Sequence, residues 1–529
     1  MSDSPVYVKP NLVIEPLFNQ WYAWSYLIPP ATAAMLTAHQ HVKIMKSYVQ
    51  NPKLHMAAVK QPGMLGGPVI DYETDRSADV RELLKRTQAS LADLLQLAEA
   101  ISEATALLER EAVGYSMDAL YAKLPDCLRG FVELTYDSAN RPGLRFLEGL
   151  LYRGRYYRRD LQSVMLYPIE QDQRPFILST PRLEQPDRLH LPLPFDHSGI
   201  DTLFQMQRTP RPAGELYEAL GVSSGQRKLV DSLLTPTPPR RTPRYEGEQP
   251  RVRYFGHACV LFESRDVSIL LDPFISYEYP SDVRRFTFQD LPDTLDYVVL
   301  THNHQDHVLF EALLQLRHRI KTLVVPRSGG DALLDPSMRL IFKQLGFKNV
   351  IELEELEELE VPGGSIMGIP FMGEHGDLSI RSKLAHLITL QGRRALCVTD
   401  SANLDTRVYQ HVHQHVGNVD TLFLGMECEG APQSWLYGAL LTRKLERSMD
   451  QSRRLNGSDS QRGLELIHQF GCRNVYVYAM GQEPWLSYVA SIRYTAQSKP
   501  IVESDKLMAQ CRGEGITAER LFGSKEFPL

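Results

Sequence analysis

The heptad Thr301-His-Asn-His-Gln-Asp-His307 separates two segments of different character. The preceding run, Leu295-Asp-Tyr-Val-Val-Leu300, is short and apolar, which is typical of a buried β-strand. The following run, Val308-Leu-Phe-Glu-Ala-Leu-Leu-Gln-Leu316, has its apolar residues at helical spacing. The heptad is therefore predicted to be a loop that connects a strand to a helix.

Four side chains of this loop are candidate metal ligands. His302 and His304 are two residues apart on extended backbone, so they project to the same side and are able to bind one metal ion. Asp306 and His307 follow them and are able to hold a second ion beside the first. Neutral imidazoles and a carboxylate are donors that first-row metals use. The alternative is a polar loop with surface histidines, and the density of donors after a buried strand argues against it.

The sequence around the heptad resembles the metallo-β-lactamase superfamily over residues 250–490. The segment Arg253–Glu263, followed by Val267–Phe274, is similar to the hairpin that opens that fold. The turn and strand Gly392–Asp400 are similar to the element that carries the bridging carboxylate of the family, which here is Asp400. The resemblance implies a four-layered αββα sandwich with a dinuclear metal site at one edge.

Two departures from the hydrolytic members of the superfamily concern the metal ligands. Where those members have a histidine, this chain has Glu374 and His375 side by side. Their last histidine ligand is missing, because the predicted strand Asn474–Met480 runs into Gly481-Gln-Glu-Pro-Trp485. With Glu374 as ligand, the donor set is rich in oxygen and has no thiolate, which favours iron or manganese over zinc. This arrangement indicates an oxygenase rather than a hydrolase.

Together with the length of 529 residues and a large N-terminal region, these features resemble the diiron β-hydroxylases that act on carrier-bound amino acids. The resemblance implies hydroxylation of the β-carbon of an aminoacyl thioester by O2, with L-p-aminophenylalanine as the amino acid, in antibiotic (chloramphenicol) biosynthesis. The implied partner is a thiolation domain of a nonribosomal peptide synthetase. The implied ligands of the two iron ions are His302, His304, Asp306, His307, Glu374 and Asp400.

Two glutamates are predicted to have catalytic roles. Glu374 is expected to change its coordination when substrate binds, in addition to binding iron. Glu427 follows the predicted strand Val419–Leu424, at an end where side chains orient metal ligands, and an ordinary loop acid is the alternative. His257 is either a further group at the site or a structural histidine of the opening hairpin.

Two other functions remain as alternatives. The first is a zinc hydrolase of the phosphodiesterase or lactonase type, in which a metal-bound hydroxide attacks an ester and His375 replaces Glu374 as ligand. The second is a lactamase-like scaffold without activity that only binds a partner. The intact heptad argues against the scaffold.

The composition indicates an ordinary globular protein. The chain is 43% hydrophobic and has a net charge of −6, whereas a nucleic-acid-binding protein is usually basic. The six cysteines form no CxxC pair, so neither a disulfide framework nor a zinc ribbon is indicated.

No signal peptide or membrane-spanning segment is recognised, which predicts a cytoplasmic protein. No segment resembles a flavin or nicotinamide site, so the two electrons for each turnover are expected from a separate reductase.

The domain boundary is predicted at a proline-rich connector, residues 235–250, which cannot sustain a helix or a central strand. The fold class is therefore α+β, with a mixed α+β N-terminal domain (1–234) and a metallo-β-lactamase-like catalytic domain (251–529). Helical spacing over residues 78–112 predicts one long helix or two consecutive helices. A role in dimerisation or substrate access is expected of the N-terminal domain, and a homodimer is the expected assembly.

Two arginine-rich segments are candidates for binding an acidic thiolation domain. The first is Arg141–Arg159, which contains six arginines, and the second contains Arg240, Arg241 and Arg244 in the connector. Solvated faces or internal ion pairs are the alternative for both segments.

Two further motifs are assigned to structure rather than to function. Gly221-Val-Ser-Ser-Gly225 matches a nucleophile-elbow pattern but follows a predicted helix, so it is interpreted as a helix end with a serine cap. His411, His413 and His415 lie on a predicted helix and are interpreted as surface histidines.

Overall fold

The computed structural model describes residues 4–529. Before the connector, a four-stranded sheet in the order β3-β2-β6-β7 is surrounded by helices. The strands of this region are β1 (Tyr7–Val8), β2 (Leu12–Phe18), β3 (Trp21–Tyr22), β4 (Val132–Tyr136), β5 (Pro142–Phe146), β6 (Gln162–Pro168), β7 (Leu189–Leu191) and β8 (Leu234–Thr235). The helices are α1 (Pro30–Leu36), α2 (Val42–Gln50), α3 (Pro52–Ala58), α4 (Ser77–Ser90), α5 (Ala92–Glu111), α6 (Asp118–Tyr121), α7 (Glu148–Leu151), α8 (Ser198–Gln205), α9 (Ala213–Leu220) and α10 (Arg227–Ser232).

The region after the connector is built on two seven-stranded sheets. Its strands are β9 (Arg251–Gly256), β10 (Cys259–Glu263), β11 (Ser268–Leu271), β12 (Leu295–Val299), β13 (Ile320–Pro326), β14 (Val350–Leu353), β15 (Glu358–Val361), β16 (Gly364–Ile369), β17 (Ala385–Leu390), β18 (Arg393–Thr399), β19 (Thr421–Gly425), β20 (Asn474–Tyr478), β21 (Thr517–Arg520) and β22 (Lys525–Pro528). Its helices are α11 (Phe310–Leu316), α12 (Met338–Gln344), α13 (Thr406–Val416), α14 (Gln433–Tyr437), α15 (Arg447–Ser452), α16 (Ser460–Phe470), α17 (Ser487–Ala490) and α18 (Lys499–Gly513).

The first sheet has the order β14-β13-β12-β11-β10-β9-β22, and the second has the order β15-β16-β17-β18-β19-β20-β21. Strands β11 to β14 run parallel, as do β18 to β21. One apolar core contains residues of both sheets, and a second core lies between the second sheet and helices α13, α16 and α18. The predicted αββα sandwich with a mixed α+β N-terminal region is confirmed.

Strand β10 shows how one hydrophobic run contributes to two cores, one on each face of its sheet. On β10, Val260 and Phe262 belong to the core between the sheets, whereas Cys259 and Leu261 belong to the core shared with the N-terminal region. This alternation follows from the two-residue period of side chains along a strand. A strand covered on both faces is apolar along most of its length, as β10 is from Cys259 to Phe262.

Three local predictions are confirmed. Residues 78–112 form two consecutive helices, α4 and α5, rather than one. Helix α9 ends at Gly221 in the left-handed conformation, and Ser223 forms a capping box with Gln226, so the nucleophile-elbow pattern is a helix end. His411, His413 and His415 lie on α13 with at least part of each side chain exposed.

The connector lies against the first sheet through a row of ion pairs. Of the predicted connector 235–250, Thr235 belongs to β8, and residues 236–250 contain neither helix nor strand, as the prolines predict. The arginines and their partners are Arg240 with Asp290, Arg241 with Asp293, and Arg244 with Asp296. Among residues 4–529, no helix combines the length and apolar composition needed to cross a lipid bilayer.

Candidate metal centre

The heptad lies at the carboxyl end of β12, next to the ends of the parallel strands β11, β18 and β19. These ends bring Asp272, Asp400 and Glu427 to the same edge of the two sheets. In sheets of parallel strands, ligands bind outside the carboxyl ends of the strands. The fold therefore places polar side chains from segments distant in the sequence at one point.

The first group of donors consists of His302, His304 and Glu374. Nε2 of His302 lies 3.1 Å from Nδ1 of His304, which lies 3.3 Å from Oε1 of Glu374. Oδ2 of Asp400 lies 3.7 Å from Nε2 of His302. These four side chains are buried or nearly so, and their donor atoms surround a volume that suits one metal ion.

The second group shares Asp400 with the first. Nε2 of His307 lies 2.9 Å from Oδ2 of Asp400 and 3.8 Å from Oδ2 of Asp306. His257 joins this group, since its Nε2 lies 3.4 Å from Oδ2 of Asp306. Asp400 thus lies between two adjacent sets of donors, as a bridging carboxylate would.

The adjacent residues Glu374 and His375 are separated by a sharp turn of the backbone. Gly373, Glu374 and Gly376 all have left-handed φ angles, of +73°, +71° and +56°. Glu374 consequently faces His304, whereas Nδ1 of His375 lies 2.7 Å from the hydroxyl of Tyr437. Within residues 4–529, His375 belongs to none of the clustered donor groups.

Each histidine of the heptad is held by a hydrogen bond on its other ring nitrogen. Nε2 of His304 contacts the Tyr437 hydroxyl at 2.7 Å, and Nδ1 of His307 contacts Oδ2 of Asp272 at 2.9 Å. Nδ1 of His302 contacts Oγ1 of Thr301 at 3.0 Å. Such partners fix the orientation and tautomer of a metal-binding imidazole.

Several residues with side chains adopt left-handed backbone conformations at this edge. His257, Asp272, Glu374 and Thr399 have φ angles of +50°, +36°, +71° and +49°. The conformation of Thr399, which precedes Asp400, is unusual because its Cβ is branched. Strained backbone of this kind concentrates at functional sites, where the surrounding structure holds it in place.

Two buried carboxylate oxygens at the site have no hydrogen-bond partner in the described part of the chain. Glu374 Oε2 and Asp400 Oδ1 are buried and accept no hydrogen bond within residues 4–529. Burial, together with the neighbouring histidines, holds the pKa of His302 well below its usual value, so its imidazole is neutral, which is the form that binds metals. Buried carboxylate oxygens that lack a partner are costly, and cations would offset that cost. The side chains present therefore fit two first-row metal ions.

Glu427 lies within the field of these carboxylates. Burial raises its pKa well above the usual value, and the charges of Asp400 and Asp306 raise it further. Its position at the end of β19 is the predicted one, whereas its role remains a prediction.

Sequence reasoning missed two residues that hold histidines in place. Asp272 lies in the segment Val267–Phe274 that the sequence assigns to the opening hairpin, and its place at the carboxyl end of a predicted strand is a usable signal. Tyr437 lies on the short helix α14, 133 positions from His304, and no sequence signal connected the two residues.

Comparisons with known proteins agree with this geometry. A family model of the diiron non-haem β-hydroxylase N-terminal domain matches residues 7–238, and a β-lactamase superfamily domain model matches residues 251–423. The chain is 38% identical to the 4-amino-L-phenylalanyl-[CmlP-peptidyl-carrier-protein] 3-hydroxylase of Streptomyces venezuelae, over 97% of this chain and 98% of that protein.

Comparison with solved structures indicates the same family. The crystal structure of CmlA, a diiron β-hydroxylase from Streptomyces venezuelae, matches with a TM-score of 0.92 and 37% identity, and the match covers 100% of both chains. A metal-dependent hydrolase from Exiguobacterium is 40% identical over 57 residues, which is only 11% of this chain and 23% of the hydrolase. Because the likeness to the hydroxylases extends over the whole chain, they are favoured over the zinc hydrolases, and the chain belongs to the non-haem diiron β-hydroxylase family with a metallo-β-lactamase fold.

Proposed function

We propose that the protein hydroxylates the β-carbon of an amino acid that is bound as a thioester to a carrier domain. The observation that carries this proposal is the set of three adjacent donor groups, linked through His302 and His307, one of which contains Asp400; none of them contains a thiolate. An oxygen-rich donor set of this kind favours iron over zinc. Membership in the diiron β-hydroxylase family supports the same chemistry.

We assign one iron ion to His302, His304, Glu374 and Asp400, and the other to Asp306, His307 and Asp400. This assignment follows the distances between the donor atoms. His257 lies beside the second group, and its contact with Asp306 also suits a residue that only positions that ligand. His375 is left out of the assignment because, within residues 4–529, it belongs to none of the clustered groups of donors.

The two iron ions, when bound, supply the activation of O2. The reaction balances as amino acid, O2, two electrons and two protons giving hydroxyamino acid and water. The electrons are proposed to come from a separate reductase.

The protein's own residues hold the ligands and exclude water. Tyr437 and Asp272 orient His304 and His307, and the side chains at the site are nearly closed to solvent, with Asp306 at 15% and Glu374 at 10% exposure. Oε2 of Glu374 has no hydrogen-bond partner within residues 4–529, so this oxygen is available to a metal ion. Glu427 is proposed as a positioning residue beside the ligands.

The proposed substrate is L-p-aminophenylalanine on a thiolation domain of a nonribosomal peptide synthetase. The Streptomyces relative acts on the corresponding 4-amino-L-phenylalanyl carrier protein. Chloramphenicol-type antibiotic biosynthesis is the proposed context, and a cytoplasmic location remains a prediction. Residues 1–234 are proposed as a unit for dimerisation or substrate access, 235–250 as a linker and 251–529 as the catalytic unit.

The test compares free and carrier-bound amino acid as substrates of the iron-loaded enzyme. We expect about two iron ions per chain and β-hydroxylation of the carrier-bound amino acid, with little turnover of the free one. Equal hydroxylation of both forms would refute the carrier requirement. Hydrolysis of the thioester by a zinc-loaded enzyme, without O2 consumption, would refute the hydroxylase assignment.

A further inference from the structure

The N-terminal region exposes a group of lysines without acidic neighbours in the sequence. Residues 16–70 contain no Asp or Glu, and their only charged side chains apart from histidine are Lys43, Lys46, Lys53 and Lys60. The four lysines, here called the lysine face, lie on α2, on α3 and just after α3, and all are exposed. Among residues 4–529, no carboxylate lies within ion-pair distance of any of them.

The arginine-rich segments differ from the lysine face because most of their charges are already paired. In Arg141–Arg159, four of the six arginines contact carboxylates of this chain, and only Arg153 and Arg155 do not. The three arginines of the connector pair with Asp290, Asp293 and Asp296. An acidic partner would have to compete with these internal ion pairs, whereas the lysine face is free to bind it.

Apolar groups accompany the lysines on α3. A shallow depression of about 380 Å³ is lined by Lys53, Met56, Ala57, Lys60 and Gln61, which are spaced along one side of the helix and the turn after it. Leu54 is 59% exposed on the same helix. Protein interfaces combine an apolar centre with a polar rim, and α3 offers both kinds of group.

The segment that follows the lysine face packs against α14, the helix whose Tyr437 contacts the proposed metal ligand His304. A Cβ atom on Gly67 would lie 3.4 Å from Cη2 of Trp435, so the segment after α3 packs against α14. Trp435 lies two residues before Tyr437, whose hydroxyl contacts His304. A carrier bound on the lysine face is thus placed beside the helix that covers the site.

We propose that the lysine face is the docking surface for the acidic carrier domain that presents the aminoacyl thioester. This inference rests on the proposed function and names the surface that its partner uses. Complementary charge steers such encounters and fixes their orientation, and the phosphodiester of the phosphopantetheine arm adds further negative charge. The prediction of an arginine-rich docking surface is replaced by this one.

The test reverses two charges of the face in the variant Lys53→Glu/Lys60→Glu. The probe is a thiolation domain loaded with L-p-aminophenylalanine, and its Kd and its kcat and KM are measured at several salt concentrations. We expect Kd and KM to rise roughly tenfold, with a weaker salt dependence and an unchanged kcat. Turnover of the same amino acid on free pantetheine, which has no carrier domain to dock, is expected to stay at the wild-type level.

Two further variants serve as controls with the same change of charge. Lys228→Glu/Lys348→Glu alters exposed lysines elsewhere and is expected to bind the carrier like the wild type. Arg153→Glu/Arg155→Glu alters the two arginines of the first segment that contact no carboxylate within residues 4–529. We expect this variant also to bind the carrier like the wild type. Iron content and circular dichroism establish that each variant is folded, and Lys53→Gln/Lys60→Gln repeats the test with a smaller change.

Wild-type affinity in the lysine variants would overturn the proposal, as would a loss confined to the Arg153/Arg155 variant. A changed oligomeric mass with unchanged carrier affinity would also overturn it, because the face would then be a contact between copies of this chain. If the wild-type enzyme hydroxylates neither the carrier-bound nor the pantetheine-bound amino acid, the proposed function itself fails. Failure of the docking surface can therefore be distinguished from failure of the proposed function.

Discussion

The hydroxyl of Tyr437 controls the orientation of a proposed iron ligand. It contacts Nε2 of His304 and Nδ1 of His375, both at 2.7 Å. If Nδ1 of His304 binds iron, Nε2 carries the proton and donates it in a hydrogen bond to Tyr437. The tyrosine therefore selects the tautomer that presents Nδ1 to the metal.

Tyr437→Phe removes this acceptor and retains the ring. We expect the affinity for iron to fall by roughly tenfold or more, because partners of ligating histidines commonly contribute that much. The measurement is competition with a chelator, followed through the optical spectrum of the iron site. Tyr72→Phe, which removes a hydroxyl that donates to the Pro181 carbonyl in the N-terminal region, is the matched control. Equal iron affinity in Tyr437→Phe and the wild type would contradict the role of Tyr437.

The neighbours Glu374 and His375 give a direct test of the ligand assignment. Glu374→Ala removes a donor that lies 3.3 Å from Nδ1 of His304, so we expect loss of iron and of hydroxylation. His375→Ala removes a ring that faces Tyr437, so we expect it to retain iron. Iron analysis of the two purified variants makes the comparison. Full iron and activity in Glu374→Ala, with both lost in His375→Ala, would reverse the assignment.

Among the individual residues of the site, the sequence predicted the metal donors that lie in one short segment. The heptad was recognisable because its four donors are neighbours in the chain. Gly373 and Gly376 permit the left-handed turn that separates Glu374 from His375, and only the structure shows that the turn is made. Tyr437 was not predictable, because its contact with His304 depends on tertiary folding alone.

Helix α11 connects the metal loop to the N-terminal region through a buried ion pair. Its Glu311 accepts two hydrogen bonds from Arg174, at 2.9 and 3.0 Å, and others from Tyr22 and Tyr277. The Arg174 guanidinium also lies over the ring of Tyr488, 3.4 Å from its centroid. The helix that follows the heptad is therefore anchored to both regions of the chain.

Glu311→Leu leaves the buried guanidinium of Arg174 without its main partner. We expect the free energy of unfolding to fall by about 3 kcal/mol, because the buried guanidinium loses its two-point contact with Glu311 and keeps only Glu15 as a carboxylate partner. Urea unfolding monitored by circular dichroism measures the change. In the exposed pair Lys506–Glu503, Lys506→Ala is the control, with an expected cost below about 1 kcal/mol. Similar costs for both variants would show that α11 is not anchored in this way.

Glu148, on α7, is a buried acid whose effect on stability depends on pH. Burial raises its pKa from 4.5 to about 8, although its carboxyl accepts the backbone N–H of Ser337, the residue before α12. A carboxyl with a raised pKa in the folded state stabilises the protein below the pKa of the unfolded chain. That contribution is lost as the pH rises through the folded pKa.

We therefore expect the stability of the wild type, relative to Glu148→Gln, to decrease as the pH rises from about 4.5 to about 8. Urea unfolding of both proteins across this range gives the difference. Glu133→Gln, at an exposed ion pair with Arg145, should show no such trend. A pH-independent difference for Glu148→Gln would contradict the raised pKa.

Elements with a clear hydrophobic period were predictable, and short elements defined by their contacts were not. The runs before and after the heptad became β12 and α11, and the helical spacing of 78–112 became α4 and α5. Helix α14 has only five residues and forms where it covers the metal centre, so no period in the sequence indicated it. Hydrophobic periodicity in the sequence predicts regular helices and strands, whereas the position of α14 over the metal centre depends on tertiary packing.

At the scale of the whole molecule, the N-terminal region packs against the sandwich over a shared apolar core. Tyr26 belongs to the N-terminal region and lies against Tyr437, with the ring centroids 6.0 Å apart, so both regions contribute to the surroundings of the metal centre. The sequence predicted the two-region organisation from the proline-rich connector. It did not predict which basic surface is free, because ion pairing is set by the folded structure.

Mass spectrometry of the carrier-bound amino acid after reaction with oxygen-18 gas tests the central claim most directly. The iron-loaded enzyme is reduced, mixed with a thiolation domain that bears L-p-aminophenylalanine, and exposed to the labelled gas. We expect the aminoacyl group to remain on the carrier and to gain one oxygen-18 atom at its β-carbon. Release of the amino acid from the carrier without incorporation of label would contradict the account and identify a hydrolase.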